Sequence, residues 1–203
     1  MVEQTWTHLA TVLIVVVAGS GAIAGWDKGW AYAEKGLGKT GGPGAVRMEI
    51  ELGWWNATSS TTIPFAPVQI VVESKACRGM GTVAAVALLA GALFALYQAI
   101  LGIASALEIQ LSSSYILPDH KSLQVSGLCA LAVLTTSVAL YLALLIGTHK
   151  KFKEQPGDKG GDVWPRPDWA FMCAMLSGGA LASLASSFKR ACHGSTSHGY
   201  MPI

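Results

Sequence analysis

Few residues of this sequence have the types and spacing that catalysis or metal binding require. Gly38-Lys39-Thr40 is similar to the end of a phosphate-binding loop, but Ala33 stands where that motif needs an earlier glycine. The histidines lie outside or at the ends of the apolar stretches, so none is placed to ligate a haem within a bundle: His8, His120, His149, His193 and His198. We therefore predict that the chain is not an enzyme and has no catalytic, cofactor-binding or metal-binding residue.

Two positions are candidates for covalent modification. Asn56 begins an Asn-Ala-Thr acceptor sequence for N-glycosylation, which would make the protein a glycoprotein. Cys192 follows Lys189 and Arg190 just beyond the last apolar stretch, a position open to reversible palmitoylation; a free thiol at the membrane edge is the alternative. No pair of cysteines has the short spacing typical of a zinc or redox site; the others are Cys77, Cys129 and Cys173.

The composition is that of a membrane protein. Of the 203 residues 52% are hydrophobic and only 13% are charged, and the mean hydropathy is +0.45. A soluble domain carries about 25% charged residues. Four charge-free stretches are about as long as a helix must be to cross a bilayer, and they predict helices at residues 9–25, 81–107, 125–147 and 169–188. The whole chain, 1–203, is predicted to be one multi-pass membrane domain.

The first stretch has a second interpretation as a signal peptide. Ala22-Ile23-Ala24 resembles a signal-peptidase site behind an apolar run, although no basic residue precedes that run. Cleavage after residue 24 would leave three helices. The net charge of +2 is too small, and the basic residues too scattered, to indicate nucleic-acid binding.

The connections between the stretches are unequal in length and composition. The first loop, 26–80, is long and contains a polar/apolar alternation at 47–52, which is typical of a strand with one buried face. Residues 68–72 and 30–34 are further strand candidates. The predicted fold is therefore an all-α membrane protein, a four-transmembrane-helix bundle with a small antiparallel β-sheet in the first loop.

The first loop also contains a recognisable pattern. Gly53-Trp54-Trp55, with Trp30 upstream and Arg78 at the start of the second helix, resembles the first-loop signature of the superfamily of claudins, peripheral myelin proteins and lipoma-fusion-partner-like tetraspans. The order of long, short and medium loops is similar as well. The cysteine pair of that signature is absent, since no cysteine precedes residue 77. The sheet must then be held by packing, without a cross-link worth roughly 2–4 kcal/mol.

The resemblance implies a function and a location. It implies a claudin-like protein of the plasma membrane that acts in cell–cell contact, junctions or membrane organisation through an extracellular loop 26–80. Its partners would be membrane lipids and either itself or other tetraspan or channel membrane proteins, with no nucleic acid. The alternative within the same superfamily is an auxiliary subunit of an ion channel or receptor complex.

Two signals disagree about orientation. The acceptor sequence at Asn56 and the resemblance both predict that the first loop is extracellular. The positive-inside rule predicts the opposite, because all of the 14 basic residues except Lys121, Lys189 and Arg190 lie on the side of the first and third loops. We keep the first loop outside, because the acceptor sequence and the resemblance agree.

Overall fold

In the computed structural model, the described part of the chain contains four helices and five strands. The described residues are 2–37, 46–54, 56–62, 68–73, 75–107, 119–153 and 164–195. The helices are α1 (Val2–Ala24), α2 (Lys75–Ala106), α3 (Asp119–Lys153) and α4 (Trp169–Ser195). The strands are β1 (Ala31–Leu37), β2 (Val46–Leu52), β3 (Asn56–Thr62), β4 (Val68–Glu73) and β5 (Arg166–Pro167).

The helices are longer than the apolar stretches that predicted them. An apolar run marks only the part of a helix that needs an apolar surrounding, and polar residues at its ends continue the same backbone hydrogen bonds. Residues 75–80 and 119–124 thus extend α2 and α3 beyond their predicted starts. Cys192, which was predicted to follow the last helix, lies inside α4.

Three of the helices are long and apolar enough to cross a membrane. The qualifying segments are Trp6–Ala24, Arg78–Ala104 and Lys121–Gly147, whereas α4 has a shorter apolar segment, Trp169–Ala185. The first of these segments begins before the predicted stretch and so includes His8. His8 is half-buried against α2, and a Cβ added to Gly102 would stand 3.8 Å from its Cδ2 atom.

The helices form a ring in which α4 and α2 each pack between α1 and α3. Two buried serines tie α4 to its neighbours. Ser177 Oγ donates to the Val15 carbonyl of α1 at 3.1 Å, and Ser126 Oγ of α3 donates to the Leu181 carbonyl at 3.0 Å. Such bonds link helices in an apolar surrounding, where neither hydroxyl has water as an alternative partner.

Glycines allow these helices to approach closely. A Cβ built on Gly25 would lie 2.3 Å from the Ala170 Cβ, and one on Gly91 would lie 2.6 Å from Leu181 Cδ1. A Cβ built on Gly178 would lie 2.7 Å from Leu134 Cδ2. Gly178 thus brings α4 close to its neighbour α3, Gly91 lets α2 reach α4 across the ring, and Gly25 brings the end of α1 close to the start of α4, as small residues do in membrane bundles.

The sheet has the strand order β4-β3-β2-β1-β5, and every neighbouring pair is antiparallel. Its base adjoins the helix ends, since β1 follows α1 and β4 leads into α2. At this base Ala31 of β1 is the register partner of Leu52 of β2, and both are buried. The fifth strand comes from the third loop, so the two loops share one sheet.

The prediction of a small antiparallel sheet is confirmed, with one strand more in the first loop than predicted. The alternation at 47–52 lies in β2, residues 68–72 lie in β4, and the candidate at 30–34 overlaps β1. Strand β3 was missed because its sequence, NATSSTT, has no apolar/polar alternation. Its place in the sheet comes from pairing with β2 on one side and β4 on the other.

Candidate functional site

The base of the sheet rests on the helix ends through Trp30, a fully buried residue. Its backbone N–H donates to the Leu52 carbonyl at 2.9 Å, and its carbonyl accepts from the Asp168 N–H at 3.3 Å. These two bonds join the first loop to itself and to the third loop. The buried indole Nε1 finds no hydrogen-bond acceptor among the residues that the structure describes.

We call the region where the base of the sheet meets the helix ends the junction. Gly53 and Trp54 form its second part. Gly53 lies so close to the chain after α1 that a Cβ on it would be 2.3 Å from the Asp27 carbonyl carbon. Trp54, also buried, covers Gly81 of α2, where a Cβ would stand 2.2 Å from the Trp54 Cβ. Only glycine fits at either position, because contacts below 3.0 Å force something to shift.

Gly29 provides a third close contact, with the start of α4. Its φ of 96° lies in the left-handed region that glycine adopts without strain. A Cβ there would also lie 2.3 Å from Nε1 of Trp169, and the Gly29 carbonyl accepts from the Ala170 N–H at 2.7 Å. The turn between α1 and β1 is thereby fixed against the first turn of α4.

The third loop is tied to both the helices and the sheet. Tyr141 Oη of α3 donates to the Pro165 carbonyl at 3.1 Å, and the ring of His149 stacks on that of Trp164 with centroids 4.4 Å apart. The two residues after Pro165 form β5, which pairs with Ala31 and Tyr32 of β1. Residues 164–168, which we name the strap, thus hold the sheet to α3 and α4.

The structure brings together three of the predicted first-loop residues. Trp30, Gly53 and Trp54 meet at the junction, as described above. Arg78 is exposed in the first turns of α2, and Trp55 lies outside the described residues. Asn56 is the first residue of β3, at the base of the sheet opposite Glu73 of β4.

Sequence reasoning missed the residues on which the tryptophans rest. Gly29 and Gly81 carried one available signal each: Gly29 ends an Asp-Lys-Gly turn, and Gly81 stands where an apolar helix begins. The strap carried no local signal, since its contacts join it to Tyr141 and to β1, far away in sequence.

The geometry of the junction suits it to hold the sheet in a fixed position relative to the helices. It consists of buried indoles, glycine contacts and backbone hydrogen bonds, which fix one surface relative to another. Within the described residues, no group of three or more His, Cys, Asp or Glu side chains could hold a metal ion. No protein-family model matches the sequence, and no curated protein matches it.

Proposed function

We propose that the chain crosses a membrane four times, with the sheet on one side. The positions of exposed tryptophans support this proposal. Trp6 is 67% exposed near one end of α1 and Trp26 is 46% exposed just past the other. They are twenty residues apart, nearly all of them in α1, which places them about 30 Å apart, the thickness of a hydrocarbon core. Leu13 and Val17, which lie between the two tryptophans on α1, are exposed aliphatic residues, as lipid-facing positions require. Exposed aliphatic side chains also occur on α2 and α3, at Leu89, Leu93, Leu128 and Leu131.

The proposed function is claudin-like: a plasma-membrane protein that acts in cell–cell contact, junctions or membrane organisation through its first loop. One observation carries the proposal. Trp30, Gly53 and Trp54, the residues that carry the resemblance, are those that seat the first-loop sheet on the helix ends. A sheet held in this way presents its outer strands at a fixed position above the membrane, which a contact surface needs.

Expression in non-adherent cells tests the contact role. We expect the tagged chain to concentrate where two expressing cells touch, and surface crosslinking to yield homo-oligomers. An unrelated multi-pass protein with the same tag is the control for passive accumulation at the contact. A uniform distribution of the tagged chain over the cell surface, together with absence of self-association, would contradict the proposal.

Orientation is tested at Asn56. With the first loop outside, we expect glycosidase treatment to increase the gel mobility of the expressed chain. The shift should disappear in Asn56→Gln and in Thr58→Ala, and persist in Thr58→Ser, because the acceptor sequence requires Ser or Thr at that position. An epitope placed between residues 38 and 45 that antibodies reach only after permeabilisation would reverse the orientation.

The second candidate, an auxiliary subunit of a channel or receptor complex, is favoured by the outward face of α2. Its exposed side chains form an uninterrupted aliphatic series that another helix could pack against: Val86, Leu89, Leu93, Leu96, Ile100 and Ile103. Purification in mild detergent separates the two candidates. A stoichiometric larger membrane protein supports the auxiliary role, and homo-oligomers support the contact role.

A further inference from the structure

Exposed tryptophans and basic residues occur together at the sheet-side ends of three helices. Trp26 and Lys28 follow α1, Trp169 begins α4, and Trp164 and Arg166 lie in the strap beside α3; all five are exposed, and we name them the outer rim. The three helices are neighbours, because α4 packs between α1 and α3. In the proposed four-span arrangement, the outer rim lies at the depth of the lipid headgroups.

The strap turns two of these side chains outward. Pro165 is buried, whereas Trp164 and Arg166 on either side of it are exposed, the alternation expected of an extended segment. The ring of Trp164 is held by the imidazole of His149, which stacks on it at an interplanar angle of 15°. Trp164 is nevertheless 55% exposed. The indole face that does not contact His149 is therefore open to a ligand.

Arg166 places a positive charge beside this ring. Its backbone is fixed in β5, which pairs with β1 at Ala31 and Tyr32. Within the described residues no ion pair involves Arg166, and the nearby carboxylate of Asp168 accepts from the Trp169 N–H through Oδ1 at 2.7 Å. The guanidinium and the open indole face are thus both available to one ligand.

The charge of this side of the protein indicates the sign of the ligand. All but three of the 14 basic residues lie on the side of the first and third loops, and the last four residues of α3 include Lys150, Lys151 and Lys153. Each basic residue close to a membrane surface contributes about 1 kcal/mol to the binding of anionic lipid. The outer leaflet of a plasma membrane consists mainly of zwitterionic phospholipids, so its anionic headgroups belong largely to glycolipids.

We propose that the outer rim binds an acidic glycolipid of the outer leaflet, with a sugar ring on the open face of Trp164 and a sugar carboxylate on Arg166. The apolar face of a pyranose ring stacks on an indole, and a guanidinium binds a carboxylate through two parallel N–H···O bonds. Lys28 adds a second positive charge at the turn against which Trp169 packs. This inference rests on the proposed function, since it needs this side of the protein outside the cell.

Lipid binding to the purified full-length chain in a neutral detergent tests the site. The two probes are a glycosphingolipid with one sialic acid and its counterpart without the sialic acid, each with a fluorophore on the acyl chain. Fluorescence anisotropy measures the Kd of each probe. We expect the sialylated lipid to bind about tenfold more tightly, because only it offers a carboxylate to Arg166. The difference should shrink as the salt concentration is raised.

Substitutions separate the two parts of the site. Arg166→Gln should weaken binding of the sialylated lipid about tenfold and leave its neutral counterpart unchanged. Trp164→Ala should weaken both lipids to a similar extent, because stacking does not involve the carboxylate. Lys121→Gln and Trp6→Ala are the matched controls, since both residues are exposed but lie at the opposite ends of α3 and α1; neither change should alter the two Kd values. Melting temperatures establish that each variant is folded.

Two results would overturn the proposal. Equal binding of the two glycolipids would show that the tryptophans only anchor the protein at the membrane surface. Displacement of the sialylated probe by phosphatidylserine as effectively as by unlabelled sialylated lipid would show that charge alone attracts it, as on a cytosolic surface.

Failure of the lipid site is distinguishable from failure of the proposed function. If the chain concentrates at cell contacts and the purified protein does not prefer the sialylated lipid, only the lipid site is wrong. If the epitope between residues 38 and 45 is cytosolic, the contact role and the outer-leaflet ligand are both wrong. If the first loop is outside and the preference is found without concentration at contacts, the lipid site stands and the contact role is wrong.

Discussion

Gly81→Leu is expected to lower the stability of the protein by more than about 3 kcal/mol, at the upper end of the range for overpacked sites. The Cβ alone would lie 2.2 Å from the Trp54 Cβ and 2.5 Å from Trp54 Cδ2. Trp54 is only 8% exposed and cannot move aside without opening the junction. In detergent, we expect the apparent melting temperature to fall by on the order of 10 °C.

The chain offers a matched control two residues earlier on the same helix. Gly79 is exposed, and a Cβ there would have no heavy atom within 4 Å. Gly79→Leu should melt within a few degrees of the unmodified protein, since leucine is also a better helix former than glycine. The clash is identified by adding Trp54→Ala to Gly81→Leu, which should cost less than the two single changes together. Equal melting of the Gly79 and Gly81 variants would contradict this account of the junction.

Trp30→Ala is expected to cost about 3–5 kcal/mol, because it leaves a large cavity in a fully buried position between the sheet and the helix ends. The loss should appear as a lower melting temperature and as increased proteolysis of the first loop. Trp6→Ala is the control. That residue is 67% exposed, so its removal should change the melting temperature little.

Trp30→Phe separates cavity formation from hydrogen bonding. The indole Nε1 is buried without an acceptor in the described structure, so phenylalanine removes a polar group that contributes no bond. We expect Trp30→Phe to cost markedly less than Trp30→Ala. A Phe variant as unstable as the Ala variant would show that the N–H has a partner and that the packing explanation is incomplete.

Much of the fold was predictable because hydrophobic patterning is local. The apolar runs located all four helices, and the alternation at 47–52 located β2. What patterning could not supply was the end of each helix, because the hydrogen-bond ladder continues into polar residues such as those at 119–124.

At the candidate site, the sequence singled out the tryptophans but not the glycines that adjoin tryptophans there. Trp30 and Trp54 are large, rare residues that draw attention in a loop. Gly81, which Trp54 covers, and Gly29, which lies against Trp169, give little sign of these contacts until the chain is folded. The same reason explains β3 and β5. A polar seven-residue strand and a two-residue strand have no pattern of their own and are defined by their neighbours.

The backbone bonds of the turn after α1 have a consequence for biosynthesis. The Gly29 and Trp30 carbonyls accept from Ala170 and Asp168, which are made about 140 residues later. The junction between the sheet and the helix ends therefore lacks two of its backbone bonds until α4 has been synthesised. In the proposed orientation, chains truncated before α4 would expose an unfinished junction in the secretory pathway, and we expect them to be retained there.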